Sequence, residues 1–230
     1  MNKIFLLFLI TGFITSCGDT EKKTGKGTLS IEIADDPFPS DLVDSANVVV
    51  SEIKIRGADS TLTLTQIPQE INLLDLRNGV TANLVTLEIP ANTYDRVSLI
   101  ISRAWIKMKD GTEYSLKIPS GAQTGLKINI DPAIVVESGL TSDLLLDFDV
   151  SKSFVVQGNI NTPAGIKGFI FKPVLRAQNL SFAGSLSGIV LDTLSQAIGN
   201  ALVWIEQDSV ISFTLADSIS GAYSILGLPP

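Results

Sequence analysis

From residue 29 onward the chain keeps returning to one pattern, an apolar residue followed by a polar one. Leu29, Ile31 and Ile33 alternate with Ser30 and Glu32, Leu62 and Leu64 with Thr61 and Thr63, and Leu126, Ile128 and Ile130 with Lys127 and Asn129. Successive side chains of a strand point to opposite faces, so a period of two predicts half-buried strands. The best helical window, Asp75 to Leu87, is broken by Gly79 and rich in β-branched residues, both unfavourable inside a helix. Pro37, Pro39, Pro68, Pro90, Pro119, Pro132 and Pro163 read as strand ends, since proline has no N–H to give to a ladder. The class expected is all-β, an antiparallel β-sandwich. One hairpin can be placed: Asp110-Gly111 between Trp105–Met108 and Glu113–Ile118 predicts a two-residue type I′ turn, which would set Trp105 opposite Leu116 and Lys107 opposite Tyr114.

The first residues follow a different logic. Lys3 precedes the apolar run Ile4 to Ile10, and small residues stand before Cys17, the order of a secretory signal peptide. Sixteen residues of helix would reach about 24 Å, short of the roughly 30 Å hydrocarbon core. Ile14-Thr15-Ser16-Cys17 resembles the lipobox of bacterial lipoproteins, in which the cysteine is acylated and becomes the mature N-terminus. That resemblance makes residues 1–16 a signal peptide and Cys17 the lipidated residue, with membrane lipid as its partner; several acyl chains suffice for stable anchoring. Residues 17–27 are polar and read as a flexible tether. Gly18 after the cysteine favours, by the same resemblance, the outer membrane, with the periplasmic or surface face left open.

Cys17 is the only cysteine, so no disulfide can staple the folded part, and an apolar core must hold it together. The net charge of −7 becomes −8 once Lys3 leaves with the signal peptide. Such a balance disfavours nucleic acid, whose phosphates need clustered Lys and Arg. The chain has no histidine, which removes Ser-His-Asp and Cys-His nucleophiles and imidazole metal sites. A Ser151–Lys152 dyad is disfavoured if the two lie on a strand, because neighbours there point apart. No catalytic residue, metal or cofactor is expected.

Gly27-Thr28-Leu29-Ser30-Ile31 running into Asp35-Asp36-Pro37, then Ala46 to Val50 through Ile53-Lys54-Ile55, and a closing Phe171-Lys172-Pro173-Val174-Leu175-Arg176 resemble the bacterial domain of unknown function 4382. The resemblance spans about residues 27 to 180 and implies a lipoprotein of bacteria such as the Bacteroidota. The strand spacing places a β-sandwich domain of unknown function over residues 28–182. A second unit, residues 184–230, is similar to the carboxypeptidase regulatory-like domain, a small non-catalytic transthyretin-like sandwich, through Gly188 to Asp192, Ala201 to Ile205, Gly221 to Ile225 and Leu228-Pro229. Its inward set would be Val190, Val203, Ile205, Tyr223 and Ile225. One residue is extra between Asp217 and Gly221 relative to that family's turn. At 47 residues this unit is expected to be incomplete, a truncated module or one needing a partner strand, with an open edge and a partly exposed or domain-covered inward set.

Four carboxylates are candidates for a cation or ligand: Asp35, Asp36, Asp147 and Asp149. Asp147 and Asp149 flank Phe148 and share one strand face, as calcium ligands or glycosidase carboxylates would; the ordinary alternative is a solvated outer face opposite core Leu146, Phe148 and Val150. Asp35 and Asp36 before Pro37 are expected to make an Asx-type turn that ends the first strand. Trp105, Trp204, Tyr94, Tyr114 and Tyr223 would offer a sugar platform if exposed, but core packing is the simpler expectation. Asp44-Ser45, Asp59-Ser60, Asp192-Thr193, Asp208-Ser209 and Asp217-Ser218, each followed by an aliphatic residue or Thr, resemble the O-glycosylation acceptor of Bacteroides-type bacteria. Composition alone gives roughly one such match. Asp-Ser and Asp-Thr are also turn formers, and both readings stand. The function expected is a non-enzymatic cell-envelope lipoprotein, a surface binding, adhesion or scaffold module with a glycan or protein partner. An accessory glycan-binding lipoprotein and a carboxylate-based glycan hydrolase are the alternatives.

Overall fold

A computed structural model describes residues 25–36, 42–58, 60–159, 165–206 and 210–228. Residues 1–24, which hold the expected signal peptide, Cys17 and most of the expected tether, lie outside the described residues with Ser209, as does the Asp36 side chain. The chain is all-β, as its periodicity predicts. In order, the strands are β1 (Lys26–Asp36), β2 (Val43–Gly57), β3 (Thr61–Thr65), β4 (Gln69–Asn72), β5 (Ala82–Pro90), β6 (Asn92–Met108), β7 (Glu113–Ser115), β8 (Leu126–Val136), β9 (Thr141–Asp149), β10 (Phe154–Gly158), β11 (Ile166–Phe171), β12 (Leu175–Asn179), β13 (Gly184–Ile189), β14 (Leu202–Glu206), β15 (Val210–Leu215) and β16 (Ala222–Leu228). Two short helices, α1 (Ser120–Thr124) and α2 (Val150–Ser153), and a 3-10 turn at Leu73–Leu76 interrupt them.

Ten strands form one sheet in the order β3-β2-β6-β8-β12-β9-β1-β5, with β4 added to β2 and β7 to β6. Its pairings are antiparallel except β1 with β9 and β8 with β12. The long central pair β2–β6 carries four register shifts, and bulges bend and twist a strand. The sheet rolls until β3 nears β5, which gives a sandwich-like body around one core. The alternating residues lie where period two places them: Leu29, Ile31 and Ile33 of β1, Ile53 and Ile55 of β2, Leu99 and Ile101 of β6, and Leu144, Leu146 and Phe148 of β9 are all buried in it. Phe148, Phe154 and Phe171 close one end, with ring centroids 5.0 to 6.4 Å apart.

Two expectations need correction. The β6–β7 hairpin pairs Trp105 with Ser115 and Lys107 with Glu113, one residue from the predicted register. A type I′ turn needs positive φ at Asp110, which Asp110 does not have; the Met108 N–H donates to Thr112 O at 2.8 Å, and Gly111 alone takes positive φ, at 90°. The loop thus holds three residues, the geometry of a type I turn with a glycine bulge. Pro132 lies inside β8 rather than at its end, at the break in the β6–β8 ladder between Tyr94 and Arg96, where a missing N–H costs nothing. Asp35 and Asp36 pair with Phe148 and Asp149 of β9, and Asp35 Oδ1 accepts from the Val150 N–H at 3.3 Å; the turn expected after them, at Pro37, lies outside the described residues.

The described residues from 184 to 228 form two ladders, β13–β16 and β14–β15. The extra residue before Gly221 is absorbed by a wide turn, in which the Gly221 N–H donates to Asp217 O and the Asp217 N–H to Ala222 O. This module sits on the outer face of β12, β9 and β1. Leu145 is only 2% exposed yet stands apart from the main core, and its cross-strand neighbour Gln178 packs so close to Gly227 that a Cβ there would overlap its Oε1.

Candidate functional site

The carboxylates singled out in the sequence converge on one end of β1 and β9. Asp147 is 9% exposed and Asp149 5%, so the solvated outer face expected for them is not what forms. The alternation is right, since Leu146 and Phe148 enter the core, but on the opposite face Asp147 lies against the C-terminal module and Asp149 is engaged by α2. Asp147 is held by Arg176, whose Nε donates to Oδ2 at 3.1 Å and whose Nη2 also donates to it. Arg176 is the last residue of the closing Lys-Pro-Val-Leu-Arg segment, set opposite Asp147 by the β9–β12 register. Burial pushes the Asp147 carboxyl above its ordinary value, against the pull of Arg176.

Asp149 does other work. Its Oδ1 accepts from the Lys152 N–H at 3.0 Å and from Ser151 Oγ at 2.7 Å, and its Oδ2 takes the Lys152 ammonium at 2.6 Å. It is the N-cap of α2. Burial alone would raise its pKa, but the hydrogen bonds from Lys152 and Ser151 hold it below the ordinary value. Ser151 and Lys152 lie on this helix rather than on a strand, and both spend their side chains on Asp149. Among the described residues, no group of three or more acidic, histidine or cysteine side chains could hold a metal ion.

Where the two parts meet, Ala34, Asp35, Leu145 and Asp147 face Ser212, Thr214 and Ile225 across a cavity of about 30 Å³. Thr214 is 3% exposed, and its Oγ1 has no hydrogen-bond partner. Asn78 fastens the seam. Its backbone adopts φ 61°, a conformation asparagine tolerates, and its amide donates to Ala222 O at 3.1 Å and accepts from the Ser224 N–H at 2.7 Å. Those two bonds copy a strand partner along the edge of β16. Nothing in the sequence around Asn78-Gly79 except its turn-forming composition marks this role.

The aromatic residues divide. Tyr94 is buried, with its hydroxyl donating to Pro90 O at 2.8 Å, and Tyr114 meets Phe169 edge-on at 5.3 Å. Trp105 is 7% exposed and lies beneath Arg103, 4.2 Å from its ring. Tyr223 is half-buried. Trp204 departs from the core-packing expectation at 53% exposed. It stands opposite Phe213, and Leu202 stands opposite Leu215, so one face of β14–β15 is apolar and open. The other face, Val203 and Ile205 against Ser212 and Thr214, turns inward; with Tyr223, Val190 and Ile225, these include the expected inward set, of which Ile225 is fully covered and the others half-buried.

The candidate acceptor hydroxyls are dispersed. Ser60, Thr193 and Ser218 are exposed. Asp192 Oδ1 accepts from the Leu194 and Gln196 N–H groups, and Asp217 Oδ1 from those of Ile219 and Ser220, so in these two pairs the aspartate shapes the turn. Ser45 is half-buried within β2 and not in a turn; its Oγ accepts from the Asn47 amide at 2.7 Å.

These features define a protein class, an all-β, sandwich-like domain with a small β module on its outer face. Residues 26–173, more than half of the chain, match the family model named domain of unknown function (DUF4382), and the chain belongs to that family. No curated protein and no solved structure matches it. No helix among the described residues is long and apolar enough to cross a membrane.

Proposed function

We propose that the chain is a non-enzymatic, lipid-anchored protein of the bacterial cell envelope whose C-terminal module presents a binding surface, acting in adhesion or scaffolding. The observation that carries this reading is where apolar surface is left open. Among the described residues, nine of the sixteen large exposed apolar side chains, including Ile189, Leu191, Leu202 and Trp204, belong to residues 182–219, and the other seven are spread over residues 67–174. Contiguous apolar patches on a folded surface mark sites of interaction. The two ladders of residues 184–228 support likening this part to a carboxypeptidase regulatory-like module, used as a platform rather than for chemistry. The lipobox-like segment ending at Cys17 supports the anchor, and Gly18 the outer membrane.

A carboxylate-based hydrolase is less well supported. Asp147 is committed to Arg176 and Asp149 to capping α2, which leaves neither poised as an acid opposite a second free carboxylate.

Fractionation of cells making the full chain and its Cys17→Ser variant tests the anchor. The parent should pellet with membranes, while the variant is released or left unprocessed, because the thiol of Cys17 is what the acyl chains would attach to. A Ser variant that still pellets fully and is cut at the same position would remove the lipid reading. Protease shaving of intact cells then decides which side of the membrane the protein faces.

A further inference from the structure

We propose that Asn78 is a site of self-modification: its carboxamide closes onto the Gly79 nitrogen when the C-terminal module lifts off, and the product keeps the module from docking again. Asn78 is the only asparagine of the chain followed by glycine. Glycine has no Cβ to obstruct the approach of its nitrogen to the preceding side chain. In the docked molecule, however, the carboxamide is held on β16. Its Nδ2 donates to Ala222 O at 3.1 Å and its Oδ1 accepts from the Ser224 N–H at 2.7 Å. Both bonds must break before Cγ can swing back over the Gly79 nitrogen into a reactive geometry, so the rate follows the fraction of molecules in which the seam is open.

The chemistry needs only water. The Gly79 nitrogen gives its proton to solvent base and attacks Asn78 Cγ; the Cγ–Nδ2 bond breaks, ammonia leaves, and a five-membered succinimide remains. Water then opens the ring. Opening at Cγ gives aspartate, and opening at the main-chain carbonyl gives isoaspartate, whose main chain runs through the former side chain. Neither product fits the seam. Aspartate still accepts from the Ser224 N–H, but it has no N–H for Ala222 O and sets a carboxylate oxygen against that carbonyl. Isoaspartate adds a methylene to a turn without slack: Asn78 and Gly79 take φ of 61° and 78°, and a Cβ on Gly79 would stand 2.7 Å from Ser224 Oγ. Opening of the seam thus leaves a covalent mark that holds it open.

The test holds the full chain in mildly alkaline buffer beside a synthetic peptide of residues 74–82, and follows both by mass and by isoaspartyl methyltransferase labelling. Residue 78 of the folded protein should gain about one mass unit, at least about tenfold more slowly than in the peptide, the scale of the two hydrogen bonds that hold the carboxamide. The deamidated protein, separated from the parent by its extra negative charge, should then be cut between Ser181 and Gly188 about tenfold faster, for the same lost bonds, with the unfolding of the main domain unchanged. Asn78→Asp should be cut as the aspartate product is. No conversion at residue 78 while the peptide converts fully overturns the proposal. So does conversion as fast as in the peptide, which would show that docking does not restrain the carboxamide. A deamidated protein cut at the parent's rate overturns the switch as well.

Discussion

Burying a carboxylate costs several kcal/mol unless a partner and hydrogen bonds offset it, and at Asp147 the offset comes from a single guanidinium that is itself 43% exposed. Arg176→Met should therefore cost about 2–3 kcal/mol, below the 3–5 of a fully buried pair because solvent screens the arginine. The double variant Asp147→Leu/Arg176→Met should recover most of it, and denaturant unfolding of both variants checks this. The two neighbouring carboxyls respond oppositely to pH. Burial raises Asp147 against the pull of Arg176, so the folded state takes its proton first, and this contribution is present below the unfolded value and lost as pH rises through the folded one. At Asp149 the hydrogen bonds of Lys152 and Ser151 overcome burial and lower the pKa; its contribution is present above the unfolded value and lost as pH falls through the folded one. Measured against the parent between about pH 3 and 8, Asp147→Asn should gain in relative stability as pH rises, and the cost of Asp149→Asn should shrink as pH falls; differences that do not change with pH for either variant contradict the assignment. Thr214 needs no hydroxyl for the fold, since its Oγ1 has no partner, and Thr214→Val should be neutral or stabilising by up to about 1 kcal/mol.

At the scale of elements, the docking of the C-terminal module depends on Asn78 standing in for a strand. Asn78→Ala removes both bonds to β16, leaves Ala222 O and the Ser224 N–H unpaired, and should cost about 1–3 kcal/mol. Protease should then cut faster between Ser181 and Gly188, leaving a core near residues 26–180; equal cutting rates in parent and variant would show that the seam is held elsewhere. The strands themselves were legible because period two is a local signal: of the residues the alternation names, Leu29, Ile31, Ile33, Leu64, Ile128 and Ile130 are buried, and Leu62 and Leu126 are half-buried against the same core. The β6–β7 register was not, because Asp-Gly is compatible with both two- and three-residue turns, and the choice depends on φ at Asp110. Nor was the burial of Asp147 and Asp149. Alternation says that a face is opposite the core, but not whether a second module covers it, and the clamp that places that module joins residues 146 positions apart.

For the molecule as a whole, Cys17 is the only cysteine, so no disulfide within the chain staples the fold and packing has to hold it together. Glycan, if added in the native host, should appear on the exposed Ser60, Thr193 or Ser218 and be absent from Ser45, whose hydroxyl is held inside β2; intact mass and peptide mapping read this directly, and a mass equal to the lipidated polypeptide alone removes modification altogether. The central claim is that the open face of β14–β15 is what the protein uses to bind. Leu202 and Trp204 are both 53% exposed, so replacing them with serine should leave stability within about 0.5 kcal/mol. The direct measurement is retention of the purified full chain, parent against Leu202→Ser/Trp204→Ser, on immobilised envelope material from the cells that make it. The account predicts at least about a tenfold loss of retention, the scale of a truncated aromatic anchor, with thermal unfolding unchanged; equal retention by the folded double variant would contradict it.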